Sequence, residues 1–323
     1  MTNAVVTPLT QALQEGALTR SELKQLMRRS DRPAFVRLAL WICLVALTGS
    51  GVWLTQGSWW MLPAMFVHGV VLVHHFSLQH ECCHYTAFKT RWMNDLMGNI
   101  CGLVIMLPNR FFRYEHCDHH THTQIRGRDT ELIELPQTMV GYFYYISSIP
   151  YWRAKFSELA RHAFGNINAD EGRFIPREER KTIVLEARLM VAFYLAVIFV
   201  SLFFQSTAAI WYWFLPVVLG EPVMRAIRMT EHVGRPTVSD MKVNTRSNRV
   251  SMPMRFLCWN MNYHAEHHYA SSVPFHALPD LNRKLEGYIH TETGGYVGAH
   301  CDIVSQLLGR SPRCDDQSVG GGS

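Results

Sequence analysis

Four runs of apolar residues divide this chain, and the polar positions between them are unequally charged. The runs are Leu38–Leu54, Trp59–Leu78, Leu189–Phe204 and Ala208–Met224. Each is near the roughly 17–25 residues that a helix needs to cross the hydrocarbon core of a bilayer. They come in two tight pairs, joined by Thr55–Ser58 and by Gln205–Thr207, and neither joint carries a charge. The pairing predicts two membrane-spanning helical hairpins in preference to helices buried in a soluble core. The second pair is the weaker, because its runs are short or interrupted, at Pro216 and at Glu221-Pro222.

The charges give this layout a direction. Arg20, Lys24, Arg28, Arg29, Arg32 and Arg37 precede or open the first run. Arg153, Lys155, Arg161, Arg173, Arg177, Arg180 and Lys181 lie between the pairs. Lys and Arg accumulate on the cytoplasmic side of membrane proteins, so both termini and the long middle segment are expected there. Charged residues make up only 18% of the 323, below the roughly 25% of soluble domains. The net charge of +5 follows from the topology and gives no reason to expect nucleic-acid binding. The polar N-terminus and long first run argue for a retained anchor and against a cleaved signal peptide. Within that N-terminus, Thr19-Arg20-Ser21-Glu22 has the form of a capping box opening a short amphipathic helix through Met27. Its apolar face suits either the membrane surface or the cytoplasmic domain, and the sequence leaves the two open. The eight cysteines contain no CxxC pair and are expected as free thiols in a reducing compartment.

Candidate chemistry lies in the histidines. His80 and His84 form HxxxH, His116, His119 and His120 form HxxHH, and His264, His267 and His268 form HxxHH again. Helical residues i, i+3 and i+4 project from one face, so each cluster presents its imidazoles to a single point. Imidazole ligates iron, zinc, copper and nickel. Eight convergent imidazoles exceed what one tetrahedral ion needs and suit a pair of ions. All three clusters fall on the expected cytoplasmic side. A chance origin of two HxxHH boxes and an HxxxH on one side is the weaker reading. His68, His74 and His75 lie within the second run, turned well away from His80, and are read as satisfied or pocket-lining helix residues. His122 falls off the face of its box. His162, His276, His290 and His300 have no spacing partner and default to packing or surface roles.

His80-Glu81-Cys82-Cys83-His84, His116-Cys117-Asp118-His119-His120 and His264-Ala265-Glu266-His267-His268, in this order and on one membrane side, resemble the boxes of the membrane fatty-acid-desaturase superfamily. The resemblance covers roughly residues 34–285. It implies a non-haem di-iron centre ligated by the box histidines. It adds one further ligand after the last span, a place that His232 matches. It also implies a reaction that takes O2 and two electrons and removes hydrogen from an unactivated C–H bond of a fatty acid or acyl chain. Desaturation leads, with hydroxylation and decarboxylation to a terminal alkene as alternatives on the same centre. The expected metal ligands are therefore His80, His84, His116, His119, His120, His232, His264, His267 and His268. No His-Pro-Gly-Gly motif is present. Electrons are accordingly expected from a separate ferredoxin-, rubredoxin- or cytochrome-b5-like donor. Glu81, Glu115, Asp118, Glu231 and Glu266 are candidates for orienting ligand rings through the second ring nitrogen.

The expected fold is an all-α integral membrane protein, in the inner or plasma membrane if bacterial. Four transmembrane helices form two hairpins, and a cytoplasmic helical cap holds the di-metal site. Residues 1–33 are read as an N-terminal amphipathic segment, 34–285 as the catalytic domain and 286–319 as a C-terminal segment. Gly320–Ser323 resembles a linker. One reading from another class stands beside this. His80-Glu81-Cys82-Cys83-His84 is formally HExxH, the zinc-binding helix of a metalloprotease, but that reading leaves both HxxHH boxes unexplained. A ferritin-like carboxylate centre lacks its second ExxH. A protein that only stores or senses metal would need no acyl pocket and no electron donor. The basic stretch Arg153–Arg188 suits an acidic electron carrier or lipid headgroups, although the positive-inside bias already explains it. The aromatics Tyr142–Tyr145 and Tyr151-Trp152 suit a substrate channel or an interfacial belt.

Overall fold

A computed structural model describes residues 13–310, so Gly320–Ser323 lies outside the described residues. The described chain is mostly helical. Its strand structure is one short parallel ladder, Ser247–Asn248 against Thr291–Glu292, which hydrophobic periodicity is too coarse to reveal. The chain divides into two compact units.

One unit comprises Asp31–Asp118 and Phe143–Ala226. It contains three helices long and apolar enough to cross a membrane, Asp31–Leu54, Met61–Cys83 and Arg177–Phe203. They coincide with the first three apolar runs. Pro33 sits in the first turn of the first helix, where its missing N–H costs no hydrogen bond. Leu47, Trp53, Leu54, Trp59, Trp60, Leu195, Phe199, Leu202 and Phe203 are exposed on these helices or at their ends. So large an exposed apolar surface belongs against lipid and not against water. The protein is therefore an integral membrane protein.

The fourth run folds differently. A π-helical turn, Ile210–Phe214, leads into the helix Leu215–His232, which carries Glu221, Arg225, Arg228 and Glu231 and has Pro222 inside it. It is not among the helices that meet the length and composition of a span. It is bound closely to the second spanning helix. A Cβ on Gly69 would lie 1.9 Å from the carbonyl oxygen of Pro216, and one on Gly220 would lie 2.3 Å from the carbonyl carbon of Gly69. The two backbones touch because neither residue has a side chain, the usual device for close helix packing in membranes. Beside this crossing, His68 bonds Thr48 Oγ1 at 2.8 Å and the Tyr212 carbonyl oxygen at 3.1 Å. Trp213 Nε1 donates to the Val104 carbonyl (2.8 Å) and the Tyr194 hydroxyl donates to that of Leu103 (2.7 Å), which fixes the end of the helix Arg91–Ile105.

Of the described residues, the other unit comprises those up to Ser30, His119–Tyr142 and those from Ile227 onward. Its core gathers Leu18, Leu23 and Leu26 with Tyr269, Leu278, Leu281, Leu285 and Ile289. The expected capping box is present: Thr19 Oγ1 accepts from Glu22 N at 3.2 Å, and Glu22 Oε2 accepts from Thr19 N at 2.9 Å. The helix it opens, Arg20–Leu26, buries Leu23 and Leu26 in the same core as the third histidine box. Of the two placements left open, packing within the folded domain is the one realised.

Candidate metal centre

In the span-bearing unit, His80 and His84 lie on and at the end of the short helix His75–Cys83, and His116 lies on the helix Asn109–His122. Their rings converge, with centroid separations of 5.3 Å (His80–His84), 4.3 Å (His80–His116) and 5.0 Å (His84–His116). The helix His75–Cys83 is aimed by a break at His74, whose Nδ1 bonds the Val70 carbonyl at 2.6 Å. Gln79 Nε2 then donates to the Leu107 carbonyl at 2.8 Å. That carbonyl stands where a Cβ of Gly102 would be, 2.3 Å away, so Gly102 allows the approach. Phe112 stacks on the ring of His116 with centroids 5.2 Å apart.

In the other unit, His119, His232, His264 and His268 are all buried, and their ligand atoms lie within 4.8 Å of one another. His120 and His267 form a second approach, with Nε2 atoms 3.1 Å apart. A metal with nitrogen bonds of about 2.1 Å holds its ligand atoms about 3–4 Å from each other, and the Nε2 atoms of His232 and His264, 3.0 Å apart, stand at that spacing. The ring orientations fit too. Asp129 accepts from His119 Nδ1 at 2.7 Å. Thr123 gives its single hydroxyl proton to the His119 carbonyl (2.7 Å), so its oxygen accepts from His268 Nδ1 (3.1 Å). His232 Nδ1 faces the Asn244 carbonyl oxygen at 3.4 Å and Thr245 Oγ1 at 3.3 Å. The Thr245 proton goes to Asn244 Oδ1, so the proton between Thr245 and the ring is the ring's. Three of the four rings thus spend their Nδ1–H on the protein, and their Nε2 atoms carry the lone pairs a metal needs.

The electrostatics separate the members of this group. Burial and the neighbouring imidazoles hold His232 and His268 well below the usual histidine range, in the neutral form that ligates. Burial opposes the charged form of His119 as well, but Glu131 and Asp129 outweigh it and raise the pKa. Asp129 is held low: burial works against its charge, but His119 and two backbone N–H groups favour it more.

Among the expected orienting carboxylates, Glu231 lies 3.7 Å from His264 Nε2 and is paired to Arg228. Glu266 is held by Ser247 and Asn282, Glu81 by Thr86, Glu115 pairs with Lys155 and Asp118 with Arg173. Asp129, Thr123 and the Asn244-Thr245 pair stand outside the boxes and share no spacing rule with them, so no periodicity marks them. Away from both histidine groups, His162 is buried against Glu171 (3.1 Å) and Phe111, and His300 accepts from or donates to the Tyr142 hydroxyl at 2.9 Å. The middle basic segment is largely spent internally: Lys155 pairs with Glu158, Arg161 with Glu171, and Arg188 donates to the Ala163 carbonyl. Of the aromatic stretch, Phe143 is exposed, and Tyr151 lies beneath the Arg225 guanidinium at 3.9 Å.

A spanning helical fold with clustered, buried imidazoles defines a membrane metalloenzyme. Residues 57–297 match the fatty acid desaturase family model, three quarters of the chain, and the chain belongs to that family. It is similar to an sn-1 oleoyl-lipid 12-desaturase of Anabaena variabilis, 22% identical over 83% of this chain and 82% of that one. It is also similar to a chloroplastic omega-6 fatty acid desaturase of Spinacia oleracea, 21% identical over 81% of this chain and 61% of that one. A shorter stretch, 22% of this chain and 16% of the relative, is 35% identical to an sn-1 acyl-lipid omega-3 desaturase (ferredoxin) of Nostoc. The protein is an oxidoreductase of this family that desaturates fatty acyl chains. The protease reading of His80-Glu81-Cys82-Cys83-His84 falls with that assignment.

Proposed function

We propose that the chain introduces a double bond into the acyl chain of a membrane lipid, with two iron ions held by His80, His84, His116, His119, His120, His232, His264, His267 and His268. The family match across residues 57–297 carries this reading, and the buried, convergent imidazoles support it. When bound, two non-haem irons supply the O2- and electron-dependent removal of hydrogen from unactivated C–H bonds. The chain's own residues do the rest. Neutral imidazoles donate lone pairs, Asp129, Thr123 and Thr245 orient three of the rings, and burial of the group keeps bulk water away. An acyl lipid is the substrate in the names of the cyanobacterial relatives, and the same class fits a protein embedded among lipids. Electrons come from a separate donor, ferredoxin-like as in the Nostoc relative's name.

The same reading makes Ala208–Met224 the fourth span and closes the second hairpin. The Arg225 guanidinium lies 2.7 Å from the Glu221 carboxylate, and such pairing is how ionisable groups are accommodated at membrane depth. Both termini and the metal site then face the cytoplasm, with the catalytic domain spanning residues 34–285. The test is lipid profiling of iron-replete cells that express the chain with a ferredoxin and its reductase, beside cells expressing His268→Ala. A new double bond in the acyl lipids of the first alone is the expected result. A hydroxylated chain, or a terminal alkene one carbon shorter, would replace desaturation with the corresponding oxidation. Metal analysis of the purified protein should give two irons per chain, and one zinc would refute the assignment of the metal.

A further inference from the structure

Asp129 belongs to no box, yet its side chain is only 2% exposed. Its carboxylate accepts from His119 Nδ1 (2.7 Å), Gln124 N (2.7 Å) and Glu131 N (2.9 Å). Burying an ionised carboxylate is expensive unless it is paired and hydrogen-bonded. Gln124 N and His119 Nδ1 reach different oxygens of this carboxylate, so a side chain with a single acceptor oxygen could serve only one of them. The carboxylate thus closes the turn and holds the ring at once. Glu231 lies 3.7 Å from His264 Nε2, and the Arg228 guanidinium bridges Glu231 and Glu131. The four imidazoles add no negative charge of their own. A cation among them would be offset by the Asp129 carboxylate that stands against His119.

The turn is also a clamp. Thr123 holds the ring of His268, Gln124 Nε2 donates to the His232 carbonyl, and Asp129 holds the ring of His119. The seven residues Thr123–Asp129 thus reach histidines from the second box, from the third box and from the end of the helix Leu215–His232. Gln124, at φ +62°, and Gly127, at φ +73°, are the left-handed residues that fold them back.

We propose that Asp129 is the positioning residue of the metal held by His119, His232, His264 and His268. By accepting the His119 Nδ1 proton it commits that ring to ligation through Nε2, and its charge balances the ion. This rests on the metal reading given above. Thr123 performs the same orienting task for His268 without a charge, so Asp129 is the member of the clamp on which ion affinity depends most.

Cobalt(II) is the probe, titrated into the full chain in detergent after chelator stripping, followed by visible absorption and by thermal unfolding. Wild type should take up two cobalt ions per chain. Asp129→Asn keeps the size of the side chain and one acceptor oxygen but removes the charge and the second acceptor. It should weaken one cobalt site by about 10–100-fold, alter that site's absorption bands and leave the other site at wild-type affinity. The metal-free Asn variant should still unfold cooperatively. Two cobalt ions bound at wild-type affinity by Asp129→Asn would overturn the proposal. Loss of both sites together with cooperative unfolding would reduce Asp129 to a structural residue and overturn it equally. Absence of cobalt binding by wild type, or two tight ions in His268→Ala, would sink the metal reading and this proposal with it.

Discussion

Gly69→Ala tests the backbone crossing between the second spanning helix and the helix Leu215–His232, because two effects of opposite sign meet there. Ala is the better helix former, by about 0.8–1.0 kcal/mol in a helix interior. Against this, the added Cβ would stand 1.9 Å from a carbonyl oxygen and 2.7 Å from its carbon, both backbone atoms with no flexible end to yield. Reaching ordinary contact requires the helices to part by about 1.5 Å, and overpacking of this kind costs about 1–3 kcal/mol. Rigid opposing atoms place the cost near the top of that range, so the net loss should be about 2 kcal/mol, or roughly a 30-fold lower folded-to-unfolded ratio. A change of this size lowers the unfolding midpoint of a domain of this scale by about 4–8 °C. Gly51→Ala is the control: it lies in the first spanning helix, and an added Cβ would meet nothing within 4 Å. It should be neutral or slightly stabilising. Gly220→Ala pushes on the same contact from the other side, since its Cβ would meet the carbonyl of Gly69 at 2.3–2.4 Å. The double variant should therefore cost less than the sum of the two singles, as neighbours sharing one strain do. Thermal unfolding in detergent, read by tryptophan fluorescence, measures all four proteins. Gly69→Ala melting at or above wild type would refute the close approach, and strict additivity with Gly220→Ala would refute the shared contact.

Two further outcomes follow from groups outside the metal clusters. The pKa of Glu171 is depressed to about 2 although burial opposes it, because His162 and Arg161 hold the ionised form. A depressed carboxyl contributes stability fully above its unfolded value, near 4.5, and loses it as pH falls towards 2. Glu171→Gln should therefore be less stable than wild type at neutral pH and lose less between about pH 4.5 and 2; parallel melting curves over that window would refute the pairing. His68→Ala and His162→Ala remove buried, hydrogen-bonded or ion-paired rings. Both should lower the melting temperature while leaving metal content at the wild-type value, and metal loss equal to that of His268→Ala would show the ligand set to be misassigned.

The boxes were legible because a helix converts a spacing of three and four into one face, whatever surrounds it. The first three spans were legible because uninterrupted apolar length is a property of the chain itself. The fourth run was harder, since Glu221, Pro222 and Arg225 break the apolar count, and their pairing and the π turn at Ile210–Phe214 appear only once neighbours are in place. The capping box at Thr19 was readable, but which surface Leu23 and Leu26 would meet was not, because an amphipathic helix presents the same stripe to lipid and to a protein core. Asp129 lay beyond sequence reasoning for a similar reason. It meets His119 across a turn whose path depends on Gly127 and on its own carboxylate, and no fixed period links the two positions.

The helix Asn109–His122 carries His116 in one compact unit and His119 and His120 in the other. Three residues of helix fix the rise between His116 and His119 at about 4.5 Å and their relative turn at about 300°. Neither value depends on which side chains fill positions 117 and 118. A single inserted or deleted residue there would instead turn His119 and His120 by about 100° about the helix axis relative to His116. Variation in length among natural or engineered versions of this chain should therefore be excluded from the interval between those two histidines, while the loops on either side of the helix remain free to lengthen.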